Sequence, residues 1–432
     1  MSNATPLAER AIAQARAGDT AAAEQTFLLL LREMPDDVQA LNFVALCKSA
    51  RGDHAGATRL LQRAQAAAPG DAGTLKNLAV SLVQQKQWHA AIELLQPLLR
   101  QDPGFFVARL YFALCLQQSG QAAAALPQFY QAVSHAQRAG HWTAPQTTPA
   151  GLRHLVEHAL ATLREGRREA LDQIMAPLVA RHGHGALQRI TRAVSGYLGE
   201  LRLATAGPQQ RPTFLHIPDL PAPRYFAAEQ FPWYEALQAQ TPILRQELLA
   251  ILEERQLLAP FLGEPSVARG GSYLGGHAEQ PRWDGFFFHR HGKVFSENAE
   301  RCPHTAKALE DIVPLVRIEG HAPETLYSVL GPGSHILPHT GVTNSRVVTH
   351  LPLLVPDQCA LRVAGEEHVW QEGRCISFDD TWEHEAWNRS TLTRVVLLFD
   401  VWNPALDEGE RDAIDALVRG IAELNGEDIL AG

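Results

Sequence analysis

Apolar positions in the first third of the chain recur at helical spacing, and the whole pattern then repeats. Pro35, Pro69 and Pro103 stand 34 residues apart, and Ala23, Ala57, Ala91 and Ala125 keep the same step. Ala45, Ala79 and Ala113 share the period, as do Gly18, Gly52 and Gly120, with Lys86 where one more glycine would complete the series. Stretches such as 57–68 and 91–99 fit the intervals as helices, with small alanines where paired helices approach and a proline closing each unit. From 148 to about 203 the spacing stays helical without the long step, and Glu165-Gly166-Arg167-Arg168 reads as a turn between helices. Pro208, Pro212, Pro218, Pro221 and Pro223 predict an extended connector, with a new domain starting near Thr213. After a helix over 242–254 the texture changes to short apolar runs bounded by Gly, Pro and Asn, at 325–330, 347–355, 360–363, 368–371, 375–378 and 394–402. Short strands with no helices between them predict an antiparallel barrel or sandwich such as a jelly roll.

The 34-residue units resemble tetratricopeptide repeats, most closely those ending at Pro69 and Pro103, while the first unit and the one after Pro103 read as less regular ends. One such hairpin cannot bury its apolar face alone, so the units stack into a superhelix with a concave groove. That groove reads either as a folding and dimerising scaffold or as a dock for a peptide or substrate. The chain of 432 residues, 46% hydrophobic and 20% charged, is long enough for at least two domains and too apolar to stay disordered. Its net charge of −9 argues against nucleic-acid partners. The five cysteines (Cys47, Cys115, Cys302, Cys359 and Cys375) lie far apart, which fits a reducing compartment and indicates neither a disulfide framework nor a cysteine zinc site. Glu9, Arg10, Arg16 and Asp19 interrupt any signal-peptide core, and no long uncharged apolar window appears. The expectation is a cytoplasmic protein with no membrane partner; the oligomeric state stays open.

Candidate chemistry lies in the strand-rich half. His339 and His384, 45 residues apart, suit strands that end side by side at a barrel mouth. A non-haem Fe(II) site usually takes two histidines and a carboxylate on one face, leaving positions for substrate and O2. The carboxylate normally stands two residues beyond the first histidine, and that position here is Gly341. Either two imidazoles and water hold the metal, or a nearby acid such as Asp380 or Glu383 supplies a third ligand; the bland alternative is a pair of hydrogen-bonded structural histidines. Alternation puts Arg394 on one strand face with Val396 and Leu398, where a guanidinium needs an anion unless it reaches water. A small dicarboxylate would satisfy it through two parallel hydrogen bonds. His350 reads equally as a contact to such a ligand and as a core histidine. His289 and His291 read as structural or surface residues, and the glycine-rich 270–276 as a flexible loop or lid.

From about Thr213 to Pro404 the chain resembles the aspartyl/asparaginyl β-hydroxylase family of Fe(II)- and 2-oxoglutarate-dependent oxygenases. The resemblance is most specific at 339–346 (His-Thr-Gly-Val-Thr-Asn-Ser-Arg), 378–385 and 399–404. It implies a multidomain architecture: an N-terminal all-α tetratricopeptide-repeat superhelix and a C-terminal double-stranded β-helix (jelly-roll, cupin-like) domain with flanking helices. With the pattern above, this divides the chain into repeats over 5–140, a helical extension over 141–206, the connector over 207–223 leading into a jelly roll over 213–405, and a C-terminal helix and tail over 406–432. The resemblance makes His339 and His384 the iron ligands and accepts Gly341 in place of the carboxylate. It makes Arg394 the partner of the distal 2-oxoglutarate carboxylate, sets Trp283, Ser328 and His350 around the cosubstrate, and makes 283–288 the wall of the site. The implied activity is O2-dependent hydroxylation at the β-carbon of Asp or Asn in a protein or peptide held by the repeats. The alternatives are hydroxylation of a small molecule or lipid acyl chain, or an adaptor with a vestigial jelly roll. Val348 stands where animal members carry a substrate-binding arginine, which leaves the substrate open, and Arg346, which matches the family, lies two residues along the strand.

Overall fold

Small residues at fixed intervals let helices approach closely, and the first unit is built on that. The computed structural model describes residues 4–261 and 273–425, and the chain divides into two units between Arg167 and Arg168. In the first unit, consecutive helices α1 (Ala4–Arg16), α2 (Thr20–Glu33), α3 (Val38–Ala50), α4 (His54–Ala67), α5 (Ala72–Gln84), α6 (Trp88–Gln101), α7 (Phe106–Gln118) and α8 (Ala122–Arg138) pack on their neighbours. The alanines of both periodic series are buried, with Ala11 continuing one of them at the N-terminal end. Asp19, Asp37, Asp53 and Asp71 cap the helices that follow them by accepting backbone N–H bonds. Gly18, Gly52 and Gly120 close their hairpins at φ near +80°, and Lys86 takes the same left-handed conformation at φ 58° without the freedom of glycine.

Residues 165–168 do not form the expected turn. They lie inside α9 (Arg153–His182), a single 30-residue helix. Gly166 serves packing, because a Cβ there would stand 2.8 Å from Leu126 Cδ1. A helix α10 (Gln188–Tyr197) follows. No helix among the described residues is long and apolar enough to cross a membrane.

The second unit carries two antiparallel sheets. Their strands are β1 (Ala259–Pro260), β2 (Leu274–Gly276), β3 (Trp283–Arg290), β4 (Lys293–Val294), β5 (Thr325–Leu330), β6 (Ser334–His339), β7 (Arg346–Leu354), β8 (Cys359–Val363), β9 (Glu366–His368), β10 (Ile376–Phe378), β11 (His384–Asn388) and β12 (Arg394–Trp402). The larger sheet runs β1-β3-β5-β12-β7-β10, with β4 paired to β3, and the smaller runs β2-β6-β11-β8-β9. Alternation sorts the side chains of the larger sheet. Phe286, Phe288, Tyr327, Val395, Leu397 and Phe399 pack outward under helices Thr241–Glu253 and Pro303–Asp311, in one core with Leu244, Leu248 and Leu309. Trp283, Leu330, Val396 and Phe378 point inward to a second core shared with Ile336, Leu361 and Ala386 of the smaller sheet. This is a jelly roll whose apolar backing lies outside the larger sheet, leaving the inner face to carry polar groups.

Two local differences from the pattern have clear causes. The run expected at 368–371 is a strand only up to His368, because Ala364 and Gly365, at φ 46° and 82°, form a two-residue hairpin that starts β9 at Glu366. Within 270–276, residues 270–272 lie outside the described residues, and Leu274–Gly276 pairs with β6 as an edge strand rather than forming a lid.

Replacing Lys86 by glycine is expected to stabilise the repeat unit by roughly 1 kcal/mol, the cost of a non-glycine residue in the left-handed region. Urea denaturation followed by circular dichroism measures the gain.

Candidate active site

Strand register brings the two sequence-predicted histidines together. In the β6–β11 pair His384 lies directly opposite His339, and the register slips between His384 and Ala386, a bulge that re-aims the strand end. The ring centroids are 4.1 Å apart. Nδ1 of His339 donates to Leu337 O at 2.8 Å, and Nδ1 of His384 donates to Trp382 O at 2.9 Å. A carbonyl can only accept, so both Nδ1 atoms carry the proton and both Nε2 atoms keep a lone pair. Burial lowers the pKa of His339, and burial together with the neighbouring His339 lowers that of His384 to about 3. Two neutral imidazoles, each with its tautomer fixed by a backbone carbonyl, form a donor set suited to a borderline transition metal.

Behind them, Arg394 is 1% exposed at the start of β12. Its guanidinium lies 4.8 Å over the ring of Trp370, Nη1 donates to Ser328 O at 3.4 Å, and Nε has no partner. Burial pushes its pKa down to about 10, and no carboxylate among the described residues offsets that penalty. A buried cation so placed is an anion receptor in waiting. Around it, Trp283 Nε1 donates to Ser328 Oγ at 3.1 Å. His350, opposite Leu398 on β12 and Ile376 on β10, has an unpartnered Nδ1. Burial first, then the Arg394 charge, holds the His350 pKa well below the ordinary histidine value. Trp283 also faces His339 with ring centroids 6.5 Å apart, so the six predicted residues form one continuous inner surface.

The two candidate acids separate clearly. Glu383 is bonded to Arg211 and partly exposed. Asp380 turns inward, and its carboxyl fills the space beside Gly341, where a Cβ would stand 2.1 Å from Asp380 Oδ2. Burial raises the Asp380 pKa to about 8 against the pull of Arg346, and Oδ1 lacks a partner. Among the described residues no cluster of three or more metal-holding side chains occurs, so the imidazole pair stands without a third ligand. The chain has traded a side chain at 341 for room to seat Asp380.

His289 and His291 lie away from this surface. His289 Nδ1 is 2.8 Å from Thr325 Oγ1, and His291 pairs with Glu324. Of the aromatic run at 283–288, Trp283 faces the site, whereas Phe286 and Phe288 belong to the outer core, as alternation requires. Val348 faces inward opposite Phe378, and Arg346 donates to Asp400 at 2.7 Å. Sequence reasoning passed over Trp370 and Asn388. Asn388 donates to Leu330 O, Gly331 O and Leu392 O and accepts from Ser390 N, which ties the end of β11 to the turns after β5 and before β12. It also passed over the grip of the proline-rich segment, in which Gln210 bonds Asp379 and Thr381 while Ile217 and Asn344 exchange two hydrogen bonds.

The fold and these residues define a tetratricopeptide-repeat protein with a jelly-roll domain whose inner face carries a paired-imidazole site. Residues 238–404 match the family model described as Aspartyl/Asparaginyl beta-hydroxylase, and residues 49–104 match that of the Tetratricopeptide repeat. The mouse Aspartate beta-hydroxylase domain-containing protein 2 is 30% identical over 265 residues, covering 60% of this chain and 73% of the relative. The human Aspartyl/asparaginyl beta-hydroxylase is 31% identical over 192 residues, 42% of this chain but only 23% of that protein. The Ornithine lipid ester-linked acyl 2-hydroxylase of Rhizobium tropici is 32% identical over 185 residues, 42% of this chain and 61% of that protein. The chain belongs to the aspartyl/asparaginyl β-hydroxylase family, and hydroxylation is the chemistry its relatives carry.

Gly341→Ala is expected to force Asp380 from its seat and to destabilise the jelly roll by about 1–3 kcal/mol, as overpacking does. Differential scanning calorimetry against the wild type measures it.

Proposed function

We propose that the protein is an Fe(II)- and 2-oxoglutarate-dependent dioxygenase that hydroxylates an unactivated C–H bond. The observation that carries this reading is the pairing of two neutral, N-donor imidazoles with a fully buried guanidinium that has no carboxylate of its own. The donor set fits Fe(II): His339 and His384 would hold it through Nε2. Arg394 would take the distal carboxylate of 2-oxoglutarate, with Ser328, Trp283 and His350 alongside. Bound Fe(II), with 2-oxoglutarate and O2, supplies the oxidising power for hydroxylation as the keto acid is decarboxylated to succinate.

The chain's own work is positioning and exclusion. The Arg394 fork fixes the far end of a five-carbon diacid at one depth, and its cation is already desolvated, so the ligand meets a preorganised partner. Val396, Leu398, Phe378 and Trp370 wall the space and keep water from competing. Asp380 offers a carboxyl on the side that Gly341 leaves open.

The first substrate class is the β-carbon of Asp or Asn in a polypeptide docked on the repeats, supported by the family and by the tetratricopeptide units. A second reading, hydroxylation of a lipid acyl chain, is favoured by Val348 opposite Phe378 and by the commitment of Arg346 to Asp400. A substrate carboxylate would find an apolar side chain at the first position and an already paired cation at the second. The acyl 2-hydroxylase relative is similar to this chain over 185 residues. An adaptor reading gains nothing from a site that retains both imidazoles and the buried guanidinium.

Calorimetric titration of the Fe(II)-loaded protein with 2-oxoglutarate under anaerobic conditions tests the reading. Arg394→Met should weaken 2-oxoglutarate binding by about 100-fold, the loss of roughly 3 kcal/mol from a charge-assisted pair of hydrogen bonds. His339→Ala and His384→Ala should abolish metal-dependent binding. Failure of the wild type to bind 2-oxoglutarate would refute the proposal. Mass spectrometry for a gain of one oxygen, on Asp- and Asn-bearing peptides and on acyl lipids, separates the two substrate readings.

A further inference from the structure

An aromatic stack closes the β1 edge of the larger sheet, beside Trp283. The β1–β3 register pairs Ala259 with Gly285 and Pro260 with Asp284, and the backbone N–H of Phe261 carries the pairing one step on by donating to Trp283 O at 2.9 Å. Phe261 therefore lies across from Trp283, and their rings stack with centroids 3.9 Å apart and planes 13° from parallel. Phe287, four residues along β3 from Trp283, lies nearly parallel to Phe261 at 6.1 Å. Its ring takes the space that a side chain at Gly285 would need, since a Cβ there would stand 2.8 Å from Phe287 Cε2. Arg290 ties the group together: its Nη2 donates to Phe261 O at 3.0 Å, and its guanidinium lies 4.6 Å over the Phe287 ring. Phe261 is thus held by both backbone and ring, and it packs against the same inner core as Val396 and Phe378.

Trp283 stands at a junction of the candidate site. Its Nε1 donates to Ser328 Oγ at 3.1 Å, the carbonyl of the same serine accepts from Arg394 Nη1 at 3.4 Å, and the indole faces His339 with ring centroids 6.5 Å apart. The second torsion of a tryptophan side chain has a broad minimum, so one hydrogen bond at Nε1 leaves the ring plane free to rock. A parallel ring 3.9 Å away removes that freedom.

We infer that Phe261 is a positioning residue for cosubstrate binding: its ring sets the plane of Trp283 and so the wall against which 2-oxoglutarate is held. The inference rests on the dioxygenase reading of the site. Phe261 acts through Trp283, and Arg290 acts one step further back by holding the Phe261 carbonyl.

Anaerobic calorimetric titration of the Fe(II)-loaded full chain with 2-oxoglutarate, combined with near-ultraviolet circular dichroism, tests this. Phe261→Leu is expected to weaken 2-oxoglutarate binding about two- to tenfold, the factor that loss of one aromatic pair gives. The same variant should alter the Trp283 band, isolated by subtracting the spectrum of the matching Trp283→Phe variant. Phe261→Tyr, which keeps the ring, should restore both affinity and band. The double variant Phe261→Leu/Trp283→Leu should bind no more weakly than Trp283→Leu alone, because the phenylalanine acts only through the indole. Multiplied losses in the double variant, or an unchanged Trp283 band in Phe261→Leu, would overturn the inference. Should Phe261→Leu fail to fold, Phe261→Met carries the same comparison. If the wild type takes up no 2-oxoglutarate, the dioxygenase reading fails and the inference falls with it, whereas equal binding by the wild type and Phe261→Leu rejects only the positioning role.

Discussion

A guanidinium buried to 1% exposure with no carboxylate to neutralise it is the constraint around which the second unit is arranged. Taking that charge out of water costs several kcal/mol. The Trp370 face and one long bond to Ser328 O return only part of it. The remainder is carried by packing elsewhere. The outer face of the same sheet buries Tyr327, Leu397 and Phe399 completely, each able to contribute ~1.5–3 kcal/mol by leaving water. One sheet thus divides its labour, apolar and stabilising outside, polar and expensive inside. Strand alternation makes the division possible, since β12 turns Val395, Leu397 and Phe399 outward and Arg394, Val396 and Leu398 inward.

What was legible in the sequence follows from which signals are local. The alternation of β12 alone predicted the face that Arg394 shares, and the 34-residue step predicted the helical pairs down to Lys86, whose positive φ matches the glycines it replaces. The pairing of His339 with His384 depends on topology, not local pattern, and the β6–β11 register supplies it. The choice between Asp380 and Glu383 was not legible, because it turns on which side chain projects inward beyond the end of β10 and on a void at Gly341 that only packing reveals. Residues 165–168 misled for a related reason. Glycine beside charged residues is locally a turn signal, but the need to seat Leu126 accounts for Gly166 within a continuous helix.

The proline-rich segment carries the least local signal and has the widest structural effect. Prolines there remove backbone donors and hold the chain extended. The donors that remain are spent on the segments that bear the histidines: Arg211 N on Thr381 O, Phe214 N on Val342 O and Ile217 N on Asn344 Oδ1, while Glu383 N returns a bond to Gln209 O. Gln210, 2% exposed, bonds the Asp379 carboxyl and the Thr381 hydroxyl, and those same two groups bond each other. The stretches on either side of the imidazole pair are therefore clamped by a segment more than a hundred residues earlier in the chain.

That clamp changes where the catalytic domain begins. A boundary drawn near Thr213 on composition would cut away Gln209, Gln210 and Arg211, leaving Asp379 buried with one fewer donor and Glu383 without its guanidinium. A buried carboxylate deprived of a partner costs about 1–3 kcal/mol or more, and here the cost would fall on residues 379–384, which orient both Asp380 and His384. Since a displacement of about 1 Å in a strand that bears site residues is enough to spoil a catalytic geometry, the segment from Gly207 onward belongs to the candidate site as much as the strands do. The shortest chain that keeps the imidazole pair as it stands includes the proline-rich strap, and the physical domain starts where the hydrogen bonds start rather than where the prolines end.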